Sequence, residues 1–373
     1  MRKIAIVGGK LQGLEVCYLG KKANIHVTLI DIDENAPAKN LCGHFVCGDV
    51  LGDDPRVRQV LESVDMVLPT LENDHVLSGL EQLSRRMGFT LAFDPDAYRI
   101  SSSKELSDDF FHLQEVPTPR YYPQGDGPYI AKPDHESGSR GIRYFDSRED
   151  VEEYLESAPE RMIVQEYLEG PSYSIEVIGF PGNYRTYEIT RIHVAEDFDC
   201  KMVTAPCDPV TRKQAEGFAR TAVATASFLN LKGIMDLEVI DHRGELKLLE
   251  IDARFPSQTP SVVYHTSGMN LLEELYDIYA TGGFQKPYPA ERHYSSFAHY
   301  LWDGEEWKEE GEHIMVEGYP LEYTPGLWGA LDVISDYRED RDTFRVTLIQ
   351  KAETEELLQK NRTEVWKCLR NIR

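Results

Sequence analysis

The chain of 373 residues lacks the features that mark several common protein classes. No apolar run approaches the length of a bilayer span, so we expect no membrane-spanning helix, and "MRKIAIVGGK" is more typical of a first strand than of a signal peptide. The six cysteines form no C-x-x-C pair, which indicates free thiols in a reducing cytoplasm. Internal repeats and low-complexity tracts are also absent, and the length suits two or three ordinary domains.

Positive charge is scarce in this sequence. Lysine and arginine total 40 residues against 64 aspartates and glutamates, which gives a formal net charge of -24. Such a protein repels nucleic acid and anionic lipid at long range, so we expect neither nucleic acid nor membrane as a partner. An anionic ligand would have to be held by local cations against this field. Isolated lysines and arginines within motifs are therefore candidates for ligand binding.

The N-terminal glycine loop lacks the middle glycine of the dinucleotide-binding fingerprint. "KIAIV", "GGKLQG", a helical pattern and "HVTLIDID" predict a βαβ unit of a parallel sheet. Counted from Gly8, Lys10 stands where the fingerprint needs glycine, and its side chain would obstruct a pyrophosphate. This argues against NAD, although the loop and Gln12 could still contact a smaller polar substrate. Residues 1–97 are predicted to form a small doubly wound domain.

The segments after this domain predict a different, α+β architecture. A serine-capped helix in "SSSKELSDDFFHLQEV" precedes the strand candidates "YIAKP", "IRYF", "MIVQEYL" and "SYSIEVIGF". We assign residues 98–182 to this smaller lobe, with its connecting helix and a lid loop. Residues 183–373 are assigned to a larger lobe with a C-terminal extension, in which we find no motif.

Two alternating segments predict a hairpin lined with acids. "IMDLEVI" carries Glu238, and "LLEIDARF" carries Glu250, Asp252 and Arg254 on one face of an extended chain. A three-residue loop at 243–245 would place Glu238 opposite Glu250, whereas a loop with an even number of residues would place them on opposite faces. We predict the three-residue loop and therefore a pair of facing carboxylates.

Crowded carboxylates repel one another unless a cation lies between them. A divalent ion with oxygen ligands is the simplest such cation, and Mg²⁺ is usually held by one or two carboxylates plus the phosphates of a nucleotide. Arg254 would then be able to contact a transferring phosphate. The alternative is a solvated acidic sheet face that needs no ligand. The polar "FPSQTP" that follows the hairpin is more typical of a binding loop.

A loop rich in serine and glycine follows the strand that carries Lys132. Its residues 137–141 could offer backbone N–H groups and hydroxyls to phosphate oxygens and close over them, although the loop lacks the glycine–lysine–serine ending of a P-loop. The alternative is an ordinary hairpin loop. Farther on, "QEYLEG" could present backbone to a purine, with Glu169 on the ribose hydroxyls, or Glu169 could simply be a surface acid.

The order of these motifs resembles that of the ATP-grasp carboxylate–amine ligases, over residues 98–268. In chain order, the motifs are "SSSKELSDDFF", "VPTP", "AKPDHESGSRG", "VQEYLEG", "SIEV", "MDLEV" and "LLEIDARFPSQTP". The resemblance implies an α/β and α+β fold, in which a Rossmann-like pre-ATP-grasp domain precedes a two-lobed ATP-grasp fold. It also implies ATP and Mg²⁺ as cofactors, with a carboxylate phosphorylated by ATP and the acyl phosphate attacked by an amine.

The same resemblance implies a role for each motif residue. Magnesium would be bound by Glu238 and Glu250, with Asp252 standing where many members carry asparagine, and Arg254 would stabilise the acyl phosphate. Residues implied to contact the nucleotide are Lys104, Lys132, Ser137, Gly138, Ser139 and Gly141 at the phosphates, and Gln165, Glu166, Tyr167, Leu168 and Glu169 at the adenosine.

A closer resemblance is to the family members that act in pyrrolysine biosynthesis, carried by "VGGKLQG", "AYRIS", "CKMVT", "KGIMDLE" and "EIDARFPSQTPSVVYHTSGMNLLE" and fading after Tyr288. It implies an amide formed between the carboxylate of 3-methyl-D-ornithine, or D-ornithine, and the ε-amine of L-lysine, with Glu176 as a candidate base and a homodimer as one assembly. Acidic side chains suit such ammonium-rich substrates. Candidate substrate contacts are Leu11, Gln12, Glu72, Asn73, Ser174, Glu176, Ser257 and Thr259.

Three other functions stay open at this point. The first is an ATP-grasp ligase for other amino acids or a purine-precursor carboxylase, the second is an NAD-linked or non-catalytic nucleotide-binding protein, and the third is a purely structural role for the acids. Lys10 argues against NAD, and the complete acidic set argues against a catalytically inactive relative.

Overall fold

A computed structural model of the chain describes residues 2–125, 127–134, 141–158, 161–195, 198–207, 210–289 and 291–371. Within these ranges no helix is both long and apolar enough to cross a membrane.

The N-terminal residues form a four-stranded parallel sheet with the strand order β3-β2-β1-β4. Apolar strands buried on both faces are expected when helices cover both sides of a parallel sheet, and β1 and β4 are buried along almost their whole length. The predicted strand at "TLAFD" is reduced to a single bridge between Leu91 and Val67. The elements are β1 (Lys3–Val7), α1 (Leu11–Ala23), β2 (His26–Asp31), β3 (His44–Cys47), α2 (Pro55–Ser63), β4 (Met66–Pro69) and α3 (Asp74–Met87).

The glycine loop between β1 and α1 is held by hydrogen bonds from within the domain. Asp31, at the end of β2, accepts a hydrogen bond of 2.6 Å from the Gly9 N–H. Gly8 has a φ of +105°, and a Cβ at Gly13 would lie 2.3 Å from the Gly8 carbonyl oxygen. The loop therefore depends on glycine for its backbone conformation, and Asp31 stabilises that conformation.

Two short helices, α4 (Pro95–Ser101) and α5 (Lys104–Leu113), connect this domain to the next. The predicted serine cap is confirmed, because the Ser103 hydroxyl accepts a hydrogen bond from the Leu106 N–H at 3.2 Å. A three-stranded antiparallel sheet in the order β6-β5-β7 follows, with one helix packed against it. Its elements are β5 (Tyr129–Pro133), β6 (Arg143–Phe145), α6 (Arg148–Ser157) and β7 (Met162–Glu166).

The remainder of the described chain builds one eleven-stranded sheet, whose main path is β13-β12-β8-β10-β11-β14-β18-β17-β16. Outside this path, β9 pairs with β8, and β15 pairs with β14. The elements are β8 (Ser172–Phe180), β9 (Asn183–Thr186), β10 (Thr190–Val194), β11 (Cys200–Ala205), α7 (Arg212–Phe228), β12 (Gly233–His242), β13 (Glu245–Asp252), α8 (Thr259–Ser267), α9 (Leu271–Thr281), β14 (Tyr294–Trp302), β15 (Trp307–Glu309), β16 (Glu322–Pro325), β17 (Asp332–Ser335), β18 (Phe344–Ala352) and α10 (Glu355–Leu369).

The large sheet corrects two expectations about strands. Strand β8, which the sequence assigned to the smaller lobe, pairs with β12 and β10 instead, and seven of its nine residues are buried, as suits a central strand. Hydrophobic alternation predicts a strand but not the sheet that it joins. The segment "YRTYEITRIHV" is two strands, β9 and β10, rather than one. The C-terminal extension continues the same sheet through the β11–β14 pairing.

In the hairpin of β12 and β13, Glu238 faces Glu250 as predicted, but the loop is shorter than predicted. Its loop has two residues, Arg243 and Gly244, with φ values of +55° and +88°, so the predicted three-residue loop is wrong. Such a loop alone would leave Glu238 opposite Leu249. A β-bulge at Leu249 shifts the register, and Glu238 pairs with Glu250 as expected.

Candidate active site

Two adjoining cavities lie where the three sheets meet. The larger, of about 570 Å³, extends from the N-terminal domain to the start of α8, and the smaller, of about 470 Å³, lies between the three-stranded sheet and β13. Both cavities are lined by Lys104, Lys132, Gln165, Glu238 and Glu250. A ligand with one end in each cavity would pass between two lysines and two glutamates.

The acidic floor of the larger cavity comes from facing pairs on β12 and β13. Glu238 stands opposite Glu250, and Asp236 stands opposite Asp252. Burial raises the pKa of Glu238 well above its ordinary value, with Glu250 adding to the effect, and burial raises the pKa of Asp236 to about 7. The Asp236 Oδ1 atom is buried without a hydrogen-bond partner among the described residues. A cation bound at this face would offset the repulsion between its carboxylates.

No three histidine, cysteine, aspartate or glutamate side chains in the described ranges are arranged so that they alone could hold a metal ion. Two facing carboxylates nevertheless fit Mg²⁺, which typically takes one or two protein carboxylates and completes its shell with phosphate and water oxygens. The repulsion between Glu238 and Glu250, and the buried Asp236 oxygen that accepts no hydrogen bond from the described residues, are the structural observations that support this fit.

Arg254 joins the acidic face to the N-terminal domain. Its Nε lies 2.7 Å from Glu72 Oε1, and its NH2 donates to Asp252 Oδ2 at 2.9 Å. Glu72 also accepts a hydrogen bond of 2.7 Å from the Gln12 side chain. The guanidinium is therefore fixed from both sides, which limits how far it can move relative to the facing carboxylates.

The two predicted lysines approach the same carboxylates from the opposite wall. Lys104 is the first residue of α5, and Lys132 lies on β5. Burial lowers the pKa of Lys132, the charges of Glu250 and Glu238 act in the opposite direction, and Lys104 adds to the lowering. A polyphosphate could bind here, with the two lysines contacting its oxygens and a metal ion lying between it and the two acids.

The predicted phosphate loop is only partly described. Ser137, Gly138 and Ser139 lie outside the described residues. Gly141 is described and has a φ of +71°, in the left-handed region that favours glycine.

The smaller cavity has the character of a nucleoside pocket. All five predicted residues from Gln165 to Glu169 line it, and the side chains of Ile130, Ile142 and Leu249 add apolar surface. Glu166 is already engaged through its carboxylate, which accepts a hydrogen bond of 2.9 Å from the Arg120 N–H. An apolar slot beside the backbone at the end of a strand suits a flat heterocycle.

The predicted substrate residues divide into two groups. Glu72, Asn73, Ser257 and Thr259 line the larger cavity. Leu11 instead borders a very small cavity behind Ser257, so it does not face the main cleft. Gln12 acts on the cleft through its hydrogen bond to Glu72 and is itself buried.

Ser174 and Glu176 are completely buried on β8 and are not among the residues that line the cleft. Their position follows from the pairing of β8 with β12, which puts Ser174 beside Glu238 and Glu176 beside Asp236. Burial raises the pKa of Glu176 to about 7, and Thr259 partly offsets the rise. The hydroxyls of Ser174 and Thr259 and both oxygens of Glu176 have no hydrogen-bond partner among the described residues. Buried polar groups are normally hydrogen-bonded, so a water molecule or a bound group would be expected to satisfy these atoms.

Sequence reasoning missed Glu312, which lines the larger cavity from the 3₁₀ helix Glu312–Val316 of the C-terminal extension. Asp199 and Gln258 also line this cavity, and Gln258 belongs to the polar "FPSQTP" segment for which a binding loop was predicted. Glu312 belongs to no spaced motif, and only the pairing of the extension with β11 brings it to the cleft.

Comparisons with known proteins agree with this geometry. A family model described as an ATP-grasp domain matches residues 102–258. The chain is 40% identical over 283 residues to the 3-methyl-D-ornithine–L-lysine ligase of Methanosarcina barkeri, covering 76% of this chain and 75% of that protein. It is 38% identical to the ligase of the same name from Methanosarcina mazei, covering 79% and 76%. In fold it resembles the biotin carboxylase domain of Hydrogenobacter thermophilus 2-oxoglutarate carboxylase, solved with MgADP and bicarbonate, with a TM-score of 0.72, 16% identity and coverage of 98% and 90%.

Proposed function

The chain belongs to the family of ATP-grasp ligases that contains the 3-methyl-D-ornithine–L-lysine ligases, and from this premise we propose the reaction that it catalyses. It is an ATP-dependent, ADP-forming ligase that joins the carboxylate of 3-methyl-D-ornithine to the ε-amine of L-lysine. The observation that carries this assignment is identity of about 40% across three quarters of the chain, in a protein whose cleft holds the acidic hairpin and both lysines.

In this proposal ATP places its adenosine in the smaller cavity, against the residues from Gln165 to Glu169. Lys104 and Lys132 contact the phosphates, and Gly141 ends the loop that covers them. Glu238 and Glu250 would hold Mg²⁺, with Asp252 completing the acidic face. When bound, Mg²⁺ would offset negative charge on the phosphates and on these carboxylates.

The proposed chemistry has two steps. A carboxylate oxygen of the ornithine attacks the γ-phosphorus of ATP, which gives an acyl phosphate and ADP. The lysine amine then attacks the acyl carbon, and phosphate leaves as the amide forms. Arg254 would stabilise charge on the transferred phosphate, and its ion pairs with Glu72 and Asp252 would fix its position before the reaction.

The lysine ammonium must lose a proton before it attacks. We propose Glu176 as the acceptor, because a pKa of about 7 leaves it able to take up a proton near neutral pH. Since Glu176 does not line the cleft, the proton would reach it through Thr259, which lines the cleft and whose hydroxyl would turn to donate a hydrogen bond to the Glu176 carboxyl. Ser174, two residues before Glu176 on β8, would support the same buried region.

Substrate contacts, assembly and location complete the proposal. Glu72, Asn73 and Ser257 would contact the amino-acid substrates directly, whereas Leu11 and Gln12 would support that wall. We propose a cytoplasmic location, which the six free cysteines support, and a homodimer as the assembly.

Mass spectrometry of a reaction with ATP, Mg²⁺, L-lysine and D-ornithine labelled with ¹⁸O in its carboxylate tests the proposal. We expect an amide whose mass is the sum of the two amino acids less one water, together with ¹⁸O in the released phosphate, because one carboxylate oxygen leaves with the phosphoryl group. ADP formation that requires bicarbonate instead of the amino acids would refute the assignment and favour a carboxylase.

A further inference from the structure

A short turn of the C-terminal extension, Gly311–His313, is fixed against the wall of the larger cavity. The His313 N–H donates a hydrogen bond of 3.1 Å to Asp199 Oδ2, and the His313 ring contacts the same oxygen. Asp199 is held in turn by a hydrogen bond of 2.9 Å from the Cys200 N–H to its Oδ1. A Cβ at Gly311 would collide with the Asp199 carboxylate, so the turn approaches as closely as glycine allows. The middle residue of this turn therefore has a defined position.

That middle residue, Glu312, has one engaged oxygen and one unengaged oxygen. Its Oε2 accepts hydrogen bonds from the Ser257 hydroxyl at 3.0 Å and from the Gln258 amide at 2.5 Å. Its Oε1 accepts no hydrogen bond from the described part of the chain, while the residue lines the cavity. Gln258, with a φ of +65°, begins α8 in a strained backbone conformation that these contacts hold. A carboxylate oriented in this way can receive a further donor without rearrangement.

Of the other acids that line this cavity, Asp236 lies 4.0 Å from an Arg254 guanidinium nitrogen, and five more are engaged as follows. Glu72 and Asp252 pair with Arg254, and Asp199 is bonded to His313 and to backbone. Glu238 and Glu250 face each other at the proposed metal site. A substrate ammonium that enters this cavity exchanges water for protein acceptors, so it requires a carboxylate that is not otherwise used.

We infer that Glu312 is a specificity-determining residue that binds an ammonium group of an amino-acid substrate through its unengaged oxygen. This inference rests on the proposed function, since D-ornithine brings two ammonium groups and L-lysine one that stay charged throughout the reaction. The C-terminal extension thereby takes part in substrate selection, although it lies outside the region that matches the ATP-grasp model.

Glu312→Gln tests the inference, because glutamine can still accept from Ser257 and Gln258 but carries no charge. We expect KM to rise at least tenfold for one of the two amino acids, whereas KM for ATP and the melting temperature stay close to wild type. Glu317→Gln is the matched control, since it removes one charge from an exposed position at the end of the same 3₁₀ helix and should change nothing. Glu312→Asp keeps the charge on a shorter stem and should restore part of the affinity.

Three analogues identify which ammonium is bound. D-norvaline lacks the δ-amine of D-ornithine, 5-aminopentanoate lacks the α-amine of D-ornithine, and 6-aminohexanoate lacks the α-amine of L-lysine. The wild-type protein should prefer one parent amino acid over its analogue by at least tenfold, and E312Q should lose that preference. If the wild-type protein forms the amide but E312Q keeps both KM values and all three preferences, the inference is overturned. If the wild-type protein forms no amide from any of these pairs, the proposed function itself fails.

Discussion

Replacing Glu250 by glutamine should make the protein more stable without nucleotide and yet remove its response to Mg-ATP. In the folded chain Glu250 faces Glu238 across the hairpin, and Lys132 lies on the opposite wall. Without a metal ion between them, the two carboxylates disfavour the folded state. The glutamine side chain has nearly the same shape and removes one of the two charges.

The size of this effect follows from the pairing geometry. Side chains directly opposite each other in an antiparallel pair have Cβ atoms about 5 Å apart. Two unit charges at this separation repel by roughly 3 kcal/mol at an effective dielectric constant of about 20. Lys132 and the raised pKa of Glu238 reduce this figure, so we expect a gain in stability of about 1–2 kcal/mol. Such a gain raises the melting temperature by a few degrees.

Thermal unfolding with and without Mg-ATP measures both halves of the prediction. At a nucleotide concentration of 100 times Kd the wild-type protein should gain about 2.7 kcal/mol, whereas E250Q should gain far less. Glu245→Gln is the control, since Glu245 is exposed at the turn end of the same strand and should leave both quantities unchanged. A lower melting temperature for E250Q without nucleotide, or a full shift when Mg-ATP is added, would refute the metal assignment.

Two further predictions concern Glu15 and Arg254. Burial raises the pKa of Glu15 from 4.5 to about 7, so the folded state binds the Glu15 proton more tightly than the unfolded chain does. The contribution of this proton to the free energy of unfolding is fully present below pH 4.5 and is lost as the pH rises through 7. Glu15→Gln should therefore raise the melting temperature by several degrees at pH 8 and by much less at pH 5, and an equal change at both values would contradict this. Arg254→Lys replaces a fork held by Glu72 and Asp252 with a point charge, so kcat for amide formation should fall by roughly 10²–10³-fold at little change in KM for ATP. A kcat within twofold of wild type would show that Arg254 does not stabilise the transferred phosphate.

The sequence predicted the elements with strong local patterns and missed those that depend on distant pairing. The βαβ unit, the serine cap of α5 and the hairpin strands were all found, because apolar periodicity and capping residues are local signals. The placement of β8 in the large sheet was missed because its pattern is equally compatible with either sheet. Glu312 was missed for a similar reason, since only the pairing of the extension with β11 brings it to the cleft.

The candidate site was predicted best where residues lie on one continuous segment. Gln165 to Glu169 all line one cavity because they follow one another at the end of β7. Ser174 and Glu176 were assigned to the cleft from motif order alone, and the order of motifs along a chain does not tell whether a side chain points into a cavity or into the layer beneath it. The structure puts both of them in the layer beneath.

The bulge at Leu249 shows how one residue can decide both folding and chemistry. A two-residue loop extended by a regular ladder would oppose Glu238 with Leu249, and the acids of the two strands would lie on different faces. The extra residue lets Leu248 stay in the core and turns Leu249 into the cavity beside Glu250. A bulge costs ladder hydrogen bonds, and here it lets an apolar wall for the proposed nucleoside and a carboxylate for the proposed metal come from adjacent positions of one strand.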